Sequence, residues 1–227
     1  MKSKALSITL SAILTVALAV LIITVSIGLP IYFRPFYYLQ IEPLGLPEIT
    51  GFTYEQIKDS FDQLMDFLVF PGGEFTAGVF KYSEEGKSHF VDCKALFTLN
   101  SVCLILSLFV SVILLALRRL GIIKLYSPKG IHPIGWAGGG TLALFALLGG
   151  LIALDFERAF TVFHSVFFPG KDNWMFNPRY DQIILALPET FFMRCAVLII
   201  SSVILLSMVS VVCALINRKR TQGKYAQ

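Results

Sequence analysis

Charge is scarce in this chain, and the side chains that usually carry chemistry are scarcer. Only 15% of the 227 residues are charged, three are histidine and two tryptophan, and the four cysteines form neither a CxxC nor any other metal-ligand pattern. No stretch matches a phosphate loop, a dinucleotide fingerprint, a GxSxG elbow or an HExxH zinc helix. No metal and no cofactor are therefore expected, and any reaction must run downhill without one. What is abundant is apolar: 56% of the residues are hydrophobic and the mean hydropathy is +0.72. A soluble domain of this length is not built that way, so the chain reads as an integral membrane protein.

Four apolar runs stand out, at about 5–29, 95–117, 134–154 and 196–216, each long enough to cross a hydrocarbon core as a helix of about 20 residues. The first is longer than the apolar core of a signal peptide and leads into GLPIYFRPFYY with no small-residue cleavage site, so it is read as retained. Charge orients the runs. Lys2, Lys4, Arg118, Arg119, Lys124, Lys129, Arg218, Lys219, Arg220 and Lys224 fall on one side with no acid among them, a net +10. The nine other basic residues and all fifteen acids fall in segments 30–94 and 155–195, a net −6. The positive-inside rule puts both termini and the second inter-run loop in the cytoplasm, and segments 30–94 and 155–195 outside it. The overall +4 is thus an orientation signal, and nucleic acid is not an expected partner.

The expected fold is an all-α integral membrane protein of one membrane domain, with four transmembrane helices and an extracytoplasmic cap. Thr53 with Gln56 three residues on is a capping-box signature, and Ile57, Phe61, Leu64 and Leu68 follow at helical spacing, which predicts an amphipathic helix over about 54–70. Its acidic polar face is unlike the basic face of bilayer-surface helices, so it is read as packing over other helices. EFTAGVFKY reads as a short hairpin and SEEGKS as a polar turn. The glycines at 138–140 and 149–150 would let another helix approach closely. Phe156, Phe160, Phe163 and Phe167 form an apolar stripe, with His164 beside it.

The stretch SHFVDCK, residues 88–94, concentrates the candidate chemistry. With a helix capped by Ser88, His89 and Asp92 share a face, and a carboxylate there can fix a ring tautomer. Spacing alone leaves two readings open: a wet interfacial histidine beside a helix-terminal acid, or half of an acid–base site. Arg34, in its aromatic run, is either a snorkelling anchor or a contact for phosphate or ester oxygens of a lipid-like substrate. Trp174, with Phe176 and Tyr180, suits an interfacial position, and Asp172 a turn. Cys93, four residues from His89, could form an acyl-enzyme, and Cys93 and Cys195 both fall near the outer boundary, where a disulfide is chemically allowed. Without a cofactor, acyl transfer from an ester to an amine fits, because the amide is the more stable product. His89 and His164 could relay its proton at neutral pH.

An H-x-x-D-x-K element entering the second run (His89, Asp92, Lys94) and FHSVFFPGKDNW after the third (Phe163, His164, Phe167, Phe168, Pro169, Gly170, Asp172, Trp174) together resemble the bacterial lipoprotein intramolecular transacylase family. The likeness covers nearly the whole chain. It implies transfer of the sn-2 acyl chain of a diacylated lipoprotein to the α-amine of that lipoprotein's own N-terminal cysteine, giving the lyso form. It also implies a monoderm bacterial cell membrane and paired functional histidines at His89 and His164. The family position matching Cys93 is usually apolar, which weighs against an acyl-enzyme. On this reading Asp92 and Asp172 support the histidines, Arg34 and Trp174 line the lipid entrance, membrane lipid and the lipoprotein are the partners, and the enzyme acts as a monomer. Two rival classes remain at this point: a quinone- or thiol-linked redox protein using outer cysteines, and a non-catalytic partner protein with an acidic outer cap.

Overall fold

The computed structural model describes residues 2–224, with side chains for residues 4–219; the side chains of Lys2, Arg220 and Lys224, counted in the charge asymmetry, lie outside the described residues. Every regular element is helical: α1 (Lys2–Tyr32), α2 (Pro35–Tyr38), α3 (Leu46–Thr50), α4 (Tyr54–Val69), α5 (Glu84–Arg119), α6 (Pro133–Leu154), α7 (Phe156–Phe167), α8 (Ile183–Ala186) and α9 (Glu189–Lys224). Four of them, α1, α5, α6 and α9, are long and apolar enough to cross a membrane. At 1.5 Å per residue the 36 residues of α5 extend about 54 Å against about 30 Å of hydrocarbon. Its polar first turns therefore project beyond any single crossing.

The chain divides into two compact units. One comprises Met1–Ile27, Ser101–Gly150 and Ile199–Gln227, and holds ten basic residues and no acid. Its packing rests on small residues. A methyl group on Gly138 of α6 would meet the Ser207 carbonyl of α9 at 2.7 Å, and one on Gly149 would meet Ile200 at 3.0 Å, so these two glycines seat the helices together as the sequence suggests. Gly139, Gly140 and Gly150 face open space. His132 accepts from the Ile134 N–H at 3.3 Å and meets the Arg118 guanidinium; burial and that cation pull its pKa down to about 4. It caps the start of α6.

The other unit, Gly28–Asn100 and Leu151–Leu198, holds all fifteen acids. Here α4 begins with the full capping box, Thr53 accepting from the Gln56 N–H while the Gln56 side chain accepts from the Thr53 N–H. Its stripe Ile57, Phe61, Leu64 and Leu68 is buried, packed within the unit. Tyr37 lies under it, stacked on Phe61 with centroids 3.8 Å apart and donating its hydroxyl to the Ala186 carbonyl at 2.8 Å.

Two expectations about this unit do not hold. EFTAGVFKY forms no hairpin, and no strand occurs among the described residues. Gly78 N–H donates to the Thr76 hydroxyl and Phe80 N–H to the Ala77 carbonyl, both at 3.1 Å within the segment, while Val79 N–H donates to the Ser60 hydroxyl at 3.1 Å and Lys81 exchanges hydrogen bonds with Gln182 at 2.9 and 3.2 Å. Phe75 and Phe80 bury themselves on neighbours rather than across a ladder. SEEGKS is likewise no turn, since Glu84 through Ser88 already belong to α5.

Candidate active site

The cap of α5 is Ser83, not Ser88. Its hydroxyl oxygen accepts from the Gly86 N–H at 3.0 Å, and Asp181 accepts from both the Ser83 N–H (2.8 Å) and the Ser83 hydroxyl (2.7 Å). Glu84 and Glu85 then occupy the first turn, where the helix dipole favours carboxylates. A methyl group on Gly86 would lie 2.3 Å from Asp181 Oδ1 and 3.0 Å from the Phe176 ring. Glycine at this position lets the 176–181 segment lie against α5, with Phe176 facing His89 at 5.5 Å between centroids.

His164 is supplied by α7, a helix distinct from α6. Asp155 breaks the two apart with extended backbone (φ −159°, ψ 94°) and restarts the chain by accepting from the Arg158 N–H at 2.9 Å. In the last turn of α7, His164 Nδ1 lies 2.7 Å from the Phe160 carbonyl oxygen. A carbonyl only accepts, so Nδ1 carries the proton and Nε2 keeps its lone pair. Burial pulls the His164 pKa below the ordinary histidine value, partly offset by that carbonyl bond. The phenylalanine stripe divides: Phe160 packs on His164 at 4.2 Å, while Phe163 and Phe167 stack on one another and remain exposed.

The two imidazoles come together. Their centroids are 5.7 Å apart with planes inclined by 33°, and only 5% of His89 and 6% of His164 is exposed. Trp174 stacks on His164 (4.5 Å, 28°), and Phe168 packs on both rings, at 4.9 Å from His89 and 5.7 Å from His164. Cys93 Sγ lies 3.4 Å from His89 Nε2. All four cysteines are free, so Cys93 and Cys195 form no disulfide.

The carboxylates are placed otherwise than the spacing suggests. Asp92 does not bond His89: its oxygens accept from Lys171 Nζ at 2.5 Å and from Asn173 Nδ2 at 3.0 Å. Asp172 is exposed, and the side chain that the turn directs inward is the neighbouring Asn173. The Pro169-Gly170 reversal (Gly170 φ 73°) brings Lys171, Asn173 and Trp174 back toward α5 and α7. Lys94 donates to the Gly72 carbonyl at 3.1 Å and tethers the turn after α4. Arg34 is committed to α4, bonding Asp62 at 3.1 Å and also Asp66. Burial alone would push the Asp62 carboxyl up, but Tyr38, Lys58 and Arg34 outweigh it and hold that group below the ordinary aspartate range. Arg34 thus clamps α4. Sequence reasoning missed Asn173 and Lys171, and it read Phe168 only as a motif residue and Phe176 only as an interfacial ring; the one signal for Lys171 and Asn173 was the Pro-Gly reversal inside FHSVFFPGKDNW, which marks a segment folding back.

Four helices of membrane-crossing length, with two buried imidazoles facing each other near the polar start of one of them, describe a multi-pass membrane protein with a histidine pair shielded from solvent. The sequence profile described as "Lipoprotein intramolecular transacylase Lit" matches residues 12–192. Solved structures of the membrane-integral lipoprotein intramolecular transacylase Lit from Bacillus cereus are 26% identical to the chain. One has a TM-score of 0.82 and covers 94% of this chain and 97% of that one. Two others, with a histidine replaced by arginine or by alanine, have TM-scores of 0.76, cover 94% of this chain, and are themselves covered to 93% and 94%. A search of curated proteins returned no match. The chain belongs to the lipoprotein intramolecular transacylase Lit family and is a membrane-integral acyltransferase. The redox and non-catalytic readings are set aside with that assignment.

Proposed function

We propose that the chain moves the sn-2 acyl group of a diacylglyceryl-modified lipoprotein onto the α-amine of the same lipoprotein's N-terminal cysteine, with His89 and His164 handling the proton. The observation that carries this is the facing pair of imidazoles 5.7 Å apart. In the reaction the neutral amine attacks the ester carbonyl. A ring nitrogen takes the amine's proton as the C–N bond forms, and the same proton is returned to the glyceryl oxygen as the C–O bond breaks. No net proton is gained or lost, so two neutral imidazoles suffice as the carriers.

Burial of the pair then decides the outcome. Water competes with the amine for the acyl group, and a site whose imidazoles are only 5% and 6% exposed keeps it out. Trp174 stacks on His164 at the edge of the pair, and the exposed Phe163, Val166 and Phe167 of α7 give acyl chains an apolar approach. The charge asymmetry supports cytoplasmic termini and an extracytoplasmic site, because the unit containing the histidines holds every acid. Purified protein acting alone on a synthetic diacylated lipopeptide tests the reading. Mass spectrometry is expected to show an N-acylated, lyso-glyceryl product; release of free fatty acid, or acyl transfer to another position, would refute it.

Direct attack by the amine leaves Cys93 as packing. Cys93→Ala is therefore expected to keep at least about a third of the wild-type rate, whereas an acyl-enzyme on Cys93 requires complete loss. Trapping of acyl groups on the protein by thioester-specific hydroxylamine release distinguishes the two directly.

A further inference from the structure

We propose that Asn173 is a positioning residue whose side-chain amide, locked in place by Asp92, holds His89 in the tautomer protonated on Nδ1 and so keeps on Nε2, which faces Cys93 Sγ at 3.4 Å, the lone pair that takes the substrate's proton. The inference rests on the proposed proton-carrying role of His89 and goes beyond it by naming what fixes that ring.

The donor edge of the amide is pinned first. Asn173 Nδ2 donates to Asp92 Oδ2 at 3.0 Å and lies 3.4 Å from the Ser88 hydroxyl, while Asp92 Oδ1 is held by Lys171 at 2.5 Å. Flipping the amide would set its oxygen against a carboxylate oxygen, two acceptors face to face, so Oδ1 must point away from Asp92. That Oδ1 is buried and without a hydrogen-bond partner, as is Nδ1 of His89. The two side chains adjoin. One is an acceptor in need of a donor, and the other becomes a donor only in the Nδ1-protonated tautomer; the alternative tautomer would leave two buried lone pairs with no donor between them. Phe160 does the same for His164 through a backbone carbonyl. Both rings therefore keep their lone pair on Nε2, that of His89 beside Cys93 Sγ at 3.4 Å.

Interposing an amide has a chemical consequence. A carboxylate bonded directly to His89 would stabilise the imidazolium and hold on to the proton. This proton has to be handed to the departing glyceryl oxygen, and Lys171 further damps the Asp92 charge. The ring is oriented without being made a trap.

With three histidines in the chain, ¹⁵N-histidine NMR in detergent can read the His89 tautomer directly, assigned through the His132 and His164 variants. The wild type is expected to show His89 protonated on Nδ1, and N173A a mixed or reversed pattern with kcat lowered about 10- to 100-fold and KM changed less than about threefold. N173D alone sets two carboxylates side by side and is expected to be equally poor. Combining it with D92N restores a donor–acceptor contact and moves the negative charge next to the ring. The double variant should regain at least about tenfold over N173D and raise the pH at which the His89 ring titrates in the same NMR spectra by about one unit. A wild-type His89 protonated on Nε2, or an N173A protein with unchanged tautomer and kcat within twofold, would overturn the inference. So would a double variant no better than N173D with an unmoved His89 titration. Activity in H89A would defeat the proposed function instead, and leaves the tautomer measurement to decide on Asn173.

Discussion

His89→Ala and His164→Ala are each expected to lower the rate of lyso-lipoprotein formation by about 10²- to 10⁴-fold, the usual share of one positioned proton carrier. The protein should stay in the membrane, because neither ring is a large apolar anchor and each sits among aromatic side chains that remain when it is removed. His→Gln variants keep more of the volume and should be as inactive, which separates lost proton transfer from a collapsed wall. If a single proton passes between the amine and the glyceryl oxygen through both rings, the double variant will be little worse than the poorer single one, since residues acting as a unit are not additive. The pH profile follows from the same arrangement. Burial holds His164 below the ordinary histidine value, so it is already neutral where a free imidazole would still be titrating. The substrate amine, with an ordinary value of about 7.7 to 8.0, then limits the rate. Activity should climb with pH as that amine loses its proton and level off above about pH 8. Full conversion by either alanine variant, measured by mass spectrometry of lipoprotein N-termini, would remove the histidines from the mechanism.

The parts of this structure visible in the sequence are those governed by local rules. Thr53 and Gln56 announce their capping box because both partners lie within one turn. Ile57, Phe61, Leu64 and Leu68 announce a buried face because helical geometry alone puts them together. Pairing of His89 with His164 was legible only through the likeness of two motifs 75 residues apart to a known family; neither spacing nor composition could have joined them. What stayed hidden depends on a partner far along the chain. Ser83 starts α5 because Asp181, 98 residues away, takes its N–H and hydroxyl, and without that residue in view Ser88 looks like the better cap. Asp92 seemed the natural partner of His89 because they are three residues apart on one helix, but Lys171 and Asn173 arrive from another segment and claim its oxygens. Asp172 and Asn173 look alike in a turn, and only the direction the chain takes after Gly170 decides which side chain points inward.

Tyr37→Ala is expected to be the most destabilising single change in the unit that holds the site, costing about 3–5 kcal/mol by analogy with buried aromatic truncations. In IYFRPFYY this residue reads as one more ring of an interfacial belt, yet it is 1% exposed and touches three elements at once. It stacks on Phe61 of α4 at 3.8 Å and meets Phe191 of α9 edge-on at 5.3 Å. Its hydroxyl, whose pKa burial pushes up so that it remains a donor, gives its proton to the Ala186 carbonyl at the end of α8. Truncation removes the ring contacts and leaves that carbonyl without its donor, a separate cost of about 1–3 kcal/mol. Tyr37→Phe keeps the stacking and should lose only this second part. Because all four cysteines are free and at least partly shielded except Cys213, a thiol-reactive fluorophore reports unfolding in detergent without any engineered cysteine. The expected order of midpoints is wild type, then Tyr37→Phe, then Tyr37→Ala well below both. An alanine variant melting with the wild type would mean that Arg34, clamped to Asp62 and Asp66, holds α4 in place without the ring beneath it.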